Sequence, residues 1–175
     1  VIGKCYCGIV TFEADLSGTI LNVFCHCRLC SRARGVSPMH IIGVAESHFS
    51  ILSGEEKVKV TETSPEGGQP LTGSYENPRP MTHAFCVECG CFIYQRPQGA
   101  SFRTLSPTTF YIEGKFEGDP DVNVCGTSCM LPPELLSKMH VNYENRVMNH
   151  YDDLPKYRTF GHRKVRLTNE GEVVK

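Results

Sequence analysis

Residues 83–94 read HAFCVECGCFIY, and the fold turns on how this stretch is understood. A β-prone run, MTHAF, enters a tight turn with Cys86 and Cys89, and a second run, FIYQR, leaves it. Strand, thiolate turn and returning strand make a zinc-ribbon layout. Gly90 follows Cys89 and frees the backbone to bend so that both sulfurs face one point. The N-terminus repeats the device: Cys5 and Cys7 sit in KCYCG and are followed by Gly8. Tetrahedral zinc takes four ligands, usually two cysteine pairs from separate segments, and Cys5, Cys7, Cys86 and Cys89 supply them. The alternative is that these four are reduced core cysteines.

A third cluster lies in FCHCRLC, residues 24–30, where Cys25, Cys27 and Cys30 offer three thiolates and no obvious fourth ligand. Three protein ligands with an open position describe a reactive zinc site. His26, Cys91, Cys125, Cys129 or a carboxylate could close it and make it structural. Three thiolates make a weak Lewis acid toward water, and a soft centre of this kind favours another sulfur. Arg28 and Arg32, with Arg34, could offset the thiolate charge or bind carboxylates of a substrate.

The rest of the chain bounds these readings. The 175 residues, 40% hydrophobic, suffice for one domain over 1–175, with a charged tail from about 163 expected to be mobile. Net charge is -1, so nucleic acid is not an expected partner. There is no apolar run of about 18 residues, and VIGKCYCGIV lacks the marks of a signal peptide, so a cytoplasmic protein without membrane contact is expected. Ten cysteines fall mostly into clusters too tight for mutual disulfides.

Short β-prone runs dominate. They include TILNVFC, the buried MHIIGV, and HFSIL and KVKVTET, expected to form a hairpin about 53–56. TFYIEGKF is a further expected strand. RLCSRARG predicts a helical turn stopped by Gly35, and a second short helix is expected over 134–138 after Pro132-Pro133. TSPEGGQPLTGSYENPRP reads as a long loop. The fold class is mainly β, with antiparallel sheets, zinc-ribbon knuckles and few short helices.

GKCYCGIVTFEA, FCHCRLCSRARG and HAFCVECGCFIY together resemble the signature segments of the glutathione-dependent formaldehyde-activating enzyme (GFA) family, which has a Mss4-like β fold. The resemblance implies two zinc ions per chain, a structural one on Cys5, Cys7, Cys86 and Cys89 and a functional one on Cys25, Cys27 and Cys30. It implies a carbon–sulfur lyase that forms or cleaves S-hydroxymethylglutathione, with glutathione or a similar small thiol as partner. For that chemistry His26, His83, His140 and Tyr143, with His150, are candidate catalytic groups. The position after CG usually holds a small hydroxyl residue in the family and here is Cys91; Cys125 and Cys129 are also additions. A non-catalytic zinc module for protein or nucleic-acid binding is the alternative reading.

Overall fold

The computed structural model describes residues 1–63, 80–111, 135–159 and 165–175. In chain order the strands are β1 (Ile2–Lys4), β2 (Thr11–Ala14), β3 (Thr19–Cys25), β4 (Met39–Ala45), β5 (Phe49–Ser53), β6 (Val58–Thr63), β7 (Met81–Cys86), β8 (Phe92–Pro97), β9 (Phe102–Leu105), β10 (Phe110–Tyr111), β11 (His140–Val141), β12 (Lys156–Tyr157) and β13 (Arg166–Leu167). One α-helix, α1 (Arg28–Arg34), joins β3 to β4. The protein is mainly β, as its sequence predicts. The described residues fall into two compact units, one from 1–20, 42–63, 81–111 and 135–136, the other from 21–41, 80, 137–159 and 165–175.

In the first unit, β1 and β2 pair antiparallel, Ile2 opposite Glu13 and Lys4 opposite Thr11, and β10 and β5 extend this sheet in the order β10-β1-β2-β5. The 42–45 part of β4 leads a second run, β4-β9-β8-β7-β6, antiparallel throughout. Strand alternation does the sorting: Phe12 and Ala14 are buried while Glu13 between them is exposed. Phe12 is fully buried, with ring centroids 5.4 Å from Phe49 and 6.4 Å from Phe110. Ile42, Val44, Ala84, Ile93 and Leu105 share this core with Cys5 and Cys86.

β5 and β6 do not form the expected hairpin. β5 pairs with β2, and β6 with β7. Gly54, left-handed at φ 69°, and the 3-10 turn Glu55–Lys57 redirect the chain between them. Side-chain and backbone bonds fix each strand to its own partner. The Ser53 hydroxyl bonds Thr11 Oγ1 at 2.7 Å, and the Val87 N–H donates to the Lys57 carbonyl at 2.9 Å.

In the second unit the strand order is β13-β12-β11-β3. β11 runs parallel to both β3 and β12, a departure from an all-antiparallel expectation. Parallel neighbours need a long connection, and 114 residues separate His26 from His140. No tight turn sets the direction of β11, so no local signal announces it. The α1 prediction holds: the Cys27 sulfur caps the helix by accepting the Cys30 N–H at 3.3 Å, and Gly35 ends it at φ 65°. The short helix expected over 134–138 does not continue through 137–138, because the Lys138 N–H bonds the Asn22 carbonyl at 3.2 Å. Glu134, the loop over 64–79 and most of TFYIEGKF lie outside the described residues.

His40 Nε2 donates to Asn22 Oδ1 at 2.8 Å, and its ring lies 4.9 Å from that of Phe24. Burial pushes its pKa from 6.5 down to about 4.

Two outcomes follow. Truncation of Phe12 to Ala should cost about 3–5 kcal/mol, read from the urea midpoint, because a fully buried ring leaves a cavity. His40 stays neutral when folded but charges near pH 6.5 when unfolded, so its contribution is intact above that pH and is lost as pH falls toward 4. His40→Gln should therefore flatten the pH dependence of stability between pH 6.5 and 4 by on the order of 1 kcal/mol. An unchanged slope would remove His40 as its source.

Candidate metal centres

The sulfurs of Cys5, Cys7, Cys86 and Cys89 all lie within 4.8 Å of one another in the first unit. A turn from Cys5 to Gly8 and a one-residue-longer turn from Cys86 to Gly90 bring them together. The Gly8 N–H donates to the Cys5 carbonyl at 2.9 Å and the Gly90 N–H to the Cys86 carbonyl at 2.8 Å. Both glycines are left-handed, at φ 76° and 69°. The Cys5 N–H then bonds the Val10 carbonyl and the Cys86 N–H the Cys91 carbonyl, each at 2.9 Å. Cys7 Sγ is 3.4 Å from Cys5 Sγ and 3.8 Å from Cys86 Sγ. A tetrahedral ion with about 2.3 Å bonds to sulfur requires spacings of this size. Burial would raise the Cys89 thiol, but backbone N–H groups of Cys7 and Cys91 and neighbouring thiols hold it at about 7. The donor set fits a thiophilic divalent ion. Cys91 is outside it, its sulfur 3.5 Å from the Phe92 carbonyl.

Cys25, Cys27 and Cys30 form the second group, all buried, their sulfurs also within 4.8 Å. Cys25 closes β3, Cys27 caps α1 and Cys30 lies in its first turn. The Cys30 thiol donates to Cys25 Sγ at 3.8 Å. Hydrogen bonds from Cys27 and Cys30 hold the Cys25 thiol well below its ordinary range, while the Cys30 thiol is pushed well above it by its bond to Cys25. The three thiols thus share their protons through mutual hydrogen bonds, an arrangement that a bound cation would replace. Asn142 adds an N–H: its Nδ2 donates to Cys25 Sγ at 3.4 Å. Among the described residues no fourth His, Cys, Asp or Glu joins the group. Cys125 and Cys129, considered as ligands, lie outside the described residues.

A row of polar side chains crosses the second unit beside this group. Lys156 Nζ donates to Asp152 Oδ1 at 2.6 Å, Asp152 Oδ2 meets His140 Nε2 at 2.9 Å, and His140 Nδ1 meets His26 Nε2 at 2.8 Å. The Asp152 carboxyl, although burial would raise it, is held at about 2 by Lys156 and His140. An ionised carboxylate only accepts, so His140 Nε2 carries hydrogen. Burial keeps His140 neutral, its Nδ1 therefore accepts, and His26 Nε2 donates. The buried Lys156 gives its remaining hydrogens to the Asp152 and Leu154 carbonyls. Tyr143 is fully committed: its hydroxyl donates to the Asn169 carbonyl and accepts the His150 N–H, both at 2.8 Å.

The β3–β11 register decides which side this row occupies. Phe24 is opposite His140 and Cys25 opposite Val141. Paired residues share a face and successive ones alternate, so His140, with Phe24 and His26, lies on the face of β3 turned away from Cys25. His26, His140 and Tyr143, expected as catalytic groups, are thus brought together in one cluster, with His150 5.0 Å from the His26 ring. His83 is not part of it; it lies in β7 of the first unit, opposite Thr61 and Gln95. Arg28 and Arg32 are exposed on α1. Sequence reasoning missed Asn142, Asp152 and Lys156. Their segment, HVNYENRVMNHYDDLPK, has no ligand spacing, and only an Asn tolerant of left-handed backbone hinted at a special position.

The family model described as glutathione-dependent formaldehyde-activating enzyme matches residues 1–117. Among solved structures, a crystal structure of a Rhodobacter sphaeroides protein is similar to this chain at 20% identity, over 69% of this chain and 92% of the other, with a TM-score of 0.47. No curated protein matches it. Among the described residues no helix is long and apolar enough to cross a membrane. With the family match spanning all three cysteine segments, the chain belongs to the glutathione-dependent formaldehyde-activating enzyme family.

Proposed function

We propose that Cys25, Cys27 and Cys30 hold a zinc ion and that the protein forms or splits the carbon–sulfur bond of a thiol–aldehyde adduct. S-hydroxymethylglutathione is the adduct the family suggests. One observation carries the reading: among the described residues there is a complete four-sulfur set in one unit and a set of three in the other. Four sulfurs satisfy a tetrahedral ion, whereas three leave a place for a fourth donor. A zinc ion on the three-sulfur set would supply a soft, cationic partner for the substrate's sulfur and favour its thiolate form.

In cleavage the electron pair of the carbon–sulfur bond stays on sulfur, the pair of the O–H bond becomes part of the new C=O bond, and the hydroxyl proton is released. Formation is the reverse. Cys25, Cys27 and Cys30 would hold the ion and so fix where the reacting sulfur can be bound. Arg28 and Arg32, exposed on the helix that carries Cys30, are placed for the carboxylates of a thiol such as glutathione. His26, His140 and Asp152, with Tyr143, buttress the metal loop from the far face of β3. The second ion, on Cys5, Cys7, Cys86 and Cys89, would be structural, since its four sulfurs complete the shell and two of them belong to the core.

Metal analysis and formaldehyde release test both assignments. Purified protein should contain two zinc ions per chain. Cys27→Ser should keep its fold and one zinc while losing at least about 100-fold in adduct cleavage. Cys86→Ser should lose the other zinc and also fall in thermal midpoint. Two zinc ions and unchanged turnover in Cys27→Ser would refute the reading.

A further inference from the structure

Asn142 is the non-glycine residue with positive φ among the described residues, at φ 55° and ψ 36°. Left-handed backbone costs a side-chain-bearing residue about 1 kcal/mol, and such outliers persist where the surroundings hold them. The β3–β11 ladder shows what this one achieves. Val141 pairs with Cys25, and with ordinary alternation residue 142 would turn to the other face, with His140 and His26. The left-handed turn at Asn142 instead brings its amide back to the cysteine face, where Nδ2 donates to Cys25 Sγ at 3.4 Å. Asn142 is itself 1% exposed, so this bond is shielded from water.

We infer that Asn142 is a positioning residue for the three-cysteine centre, its amide N–H holding Cys25 in place and drawing electron density from that sulfur. The inference rests on the proposed metal-binding role of the group. A hydrogen bond to a ligand sulfur weakens that sulfur as a donor and leaves the bound ion more attractive to an incoming thiol. Cys25 is also the sulfur of the trio on which two donors converge, the Asn142 amide at 3.4 Å and the Cys30 thiol at 3.8 Å. Asn142 thus serves the fourth, substrate-binding position without touching substrate.

Asn142→Gly separates the amide from the backbone, because glycine adopts positive φ without strain. The zinc-loaded protein and its cobalt(II)-substituted form are the probes. Removing the N–H should raise the energy of the Cys25 lone pairs, so the sulfur-to-cobalt charge-transfer band should move to longer wavelength in Asn142→Gly. Metal affinity of the trio, measured by chelator competition, should fall about 10-fold, because the loss of a fixed Cys25 position outweighs the gain in its donor strength. Asn142→Asp, which sets a carboxylate against the thiolate, should weaken binding further. A band that depends on Cys27 yet is unmoved in Asn142→Gly overturns the inference and leaves the metal reading intact. A wild-type protein with no Cys27-dependent band overturns both.

Discussion

Sulfur atoms gathered within 4.8 Å of one another cannot all ionise unless a cation sits among them. Two unit charges about 4 Å apart repel by roughly 4 kcal/mol at the effective dielectric of a protein surface, and more where water is excluded. The backbone nevertheless builds two such groups, with left-handed glycines at Gly8 and Gly90 and a sulfur-capped helix at Cys27. Without a cation, thiol protons must stay among the sulfurs, and the Cys30 thiol points its own at Cys25. Metal binding to such groups is inseparable from folding. In the first unit the dependence is direct, since Cys5 and Cys86 are core residues beside Phe12, Ile93 and Leu105.

The second unit faces a different problem. Its three-cysteine loop is short and is flanked by a parallel strand that arrives from more than a hundred residues away. The answer is a buried polar row in which each member has a defined role: Lys156 donates three times, Asp152 accepts, and the two histidines pass a single donor direction along. A row of this kind favours one arrangement, because reversing the His140 ring would set a nitrogen lone pair against the Asp152 carboxylate. Its stability rests on Asp152, the half-exposed member, whose loss would strand a buried ammonium.

Much of this was legible in the sequence. Both cysteine sets, the strands that lead into them and the end of α1 at Gly35 follow from spacings of a few residues and from where glycine is needed. The parts that escaped depend on distant pairing. HFSIL and KVKVTET look like a hairpin because they are adjacent, yet each finds a longer-range partner in β2 or β7. Asn142, Asp152 and Lys156 acquire their roles only once β11 lies beside β3. Histidine by itself carries no address: His26 and His140 meet in one cluster, while His83 is a ladder residue of another strand.

The C-x-C-x-x-C spacing also explains why the histidine inside it is not the fourth ligand. Along extended backbone, residues two apart share a face, which places Cys25 and Cys27 together and His26 opposite. Along a helix, residues three apart share a face, which brings Cys30 round to Cys27 once α1 begins. The change of period at Cys27 is therefore what closes the three sulfurs onto one point, and the Cys27 sulfur marks the change by accepting the Cys30 N–H. A histidine at 26 is excluded from the sulfur side by the same arithmetic and made available to the other, where His140 meets it. A fourth protein ligand would have to come from another segment, and among the described residues the segment that follows β11 brings an amide instead, Asn142, whose N–H donates to the Cys25 sulfur.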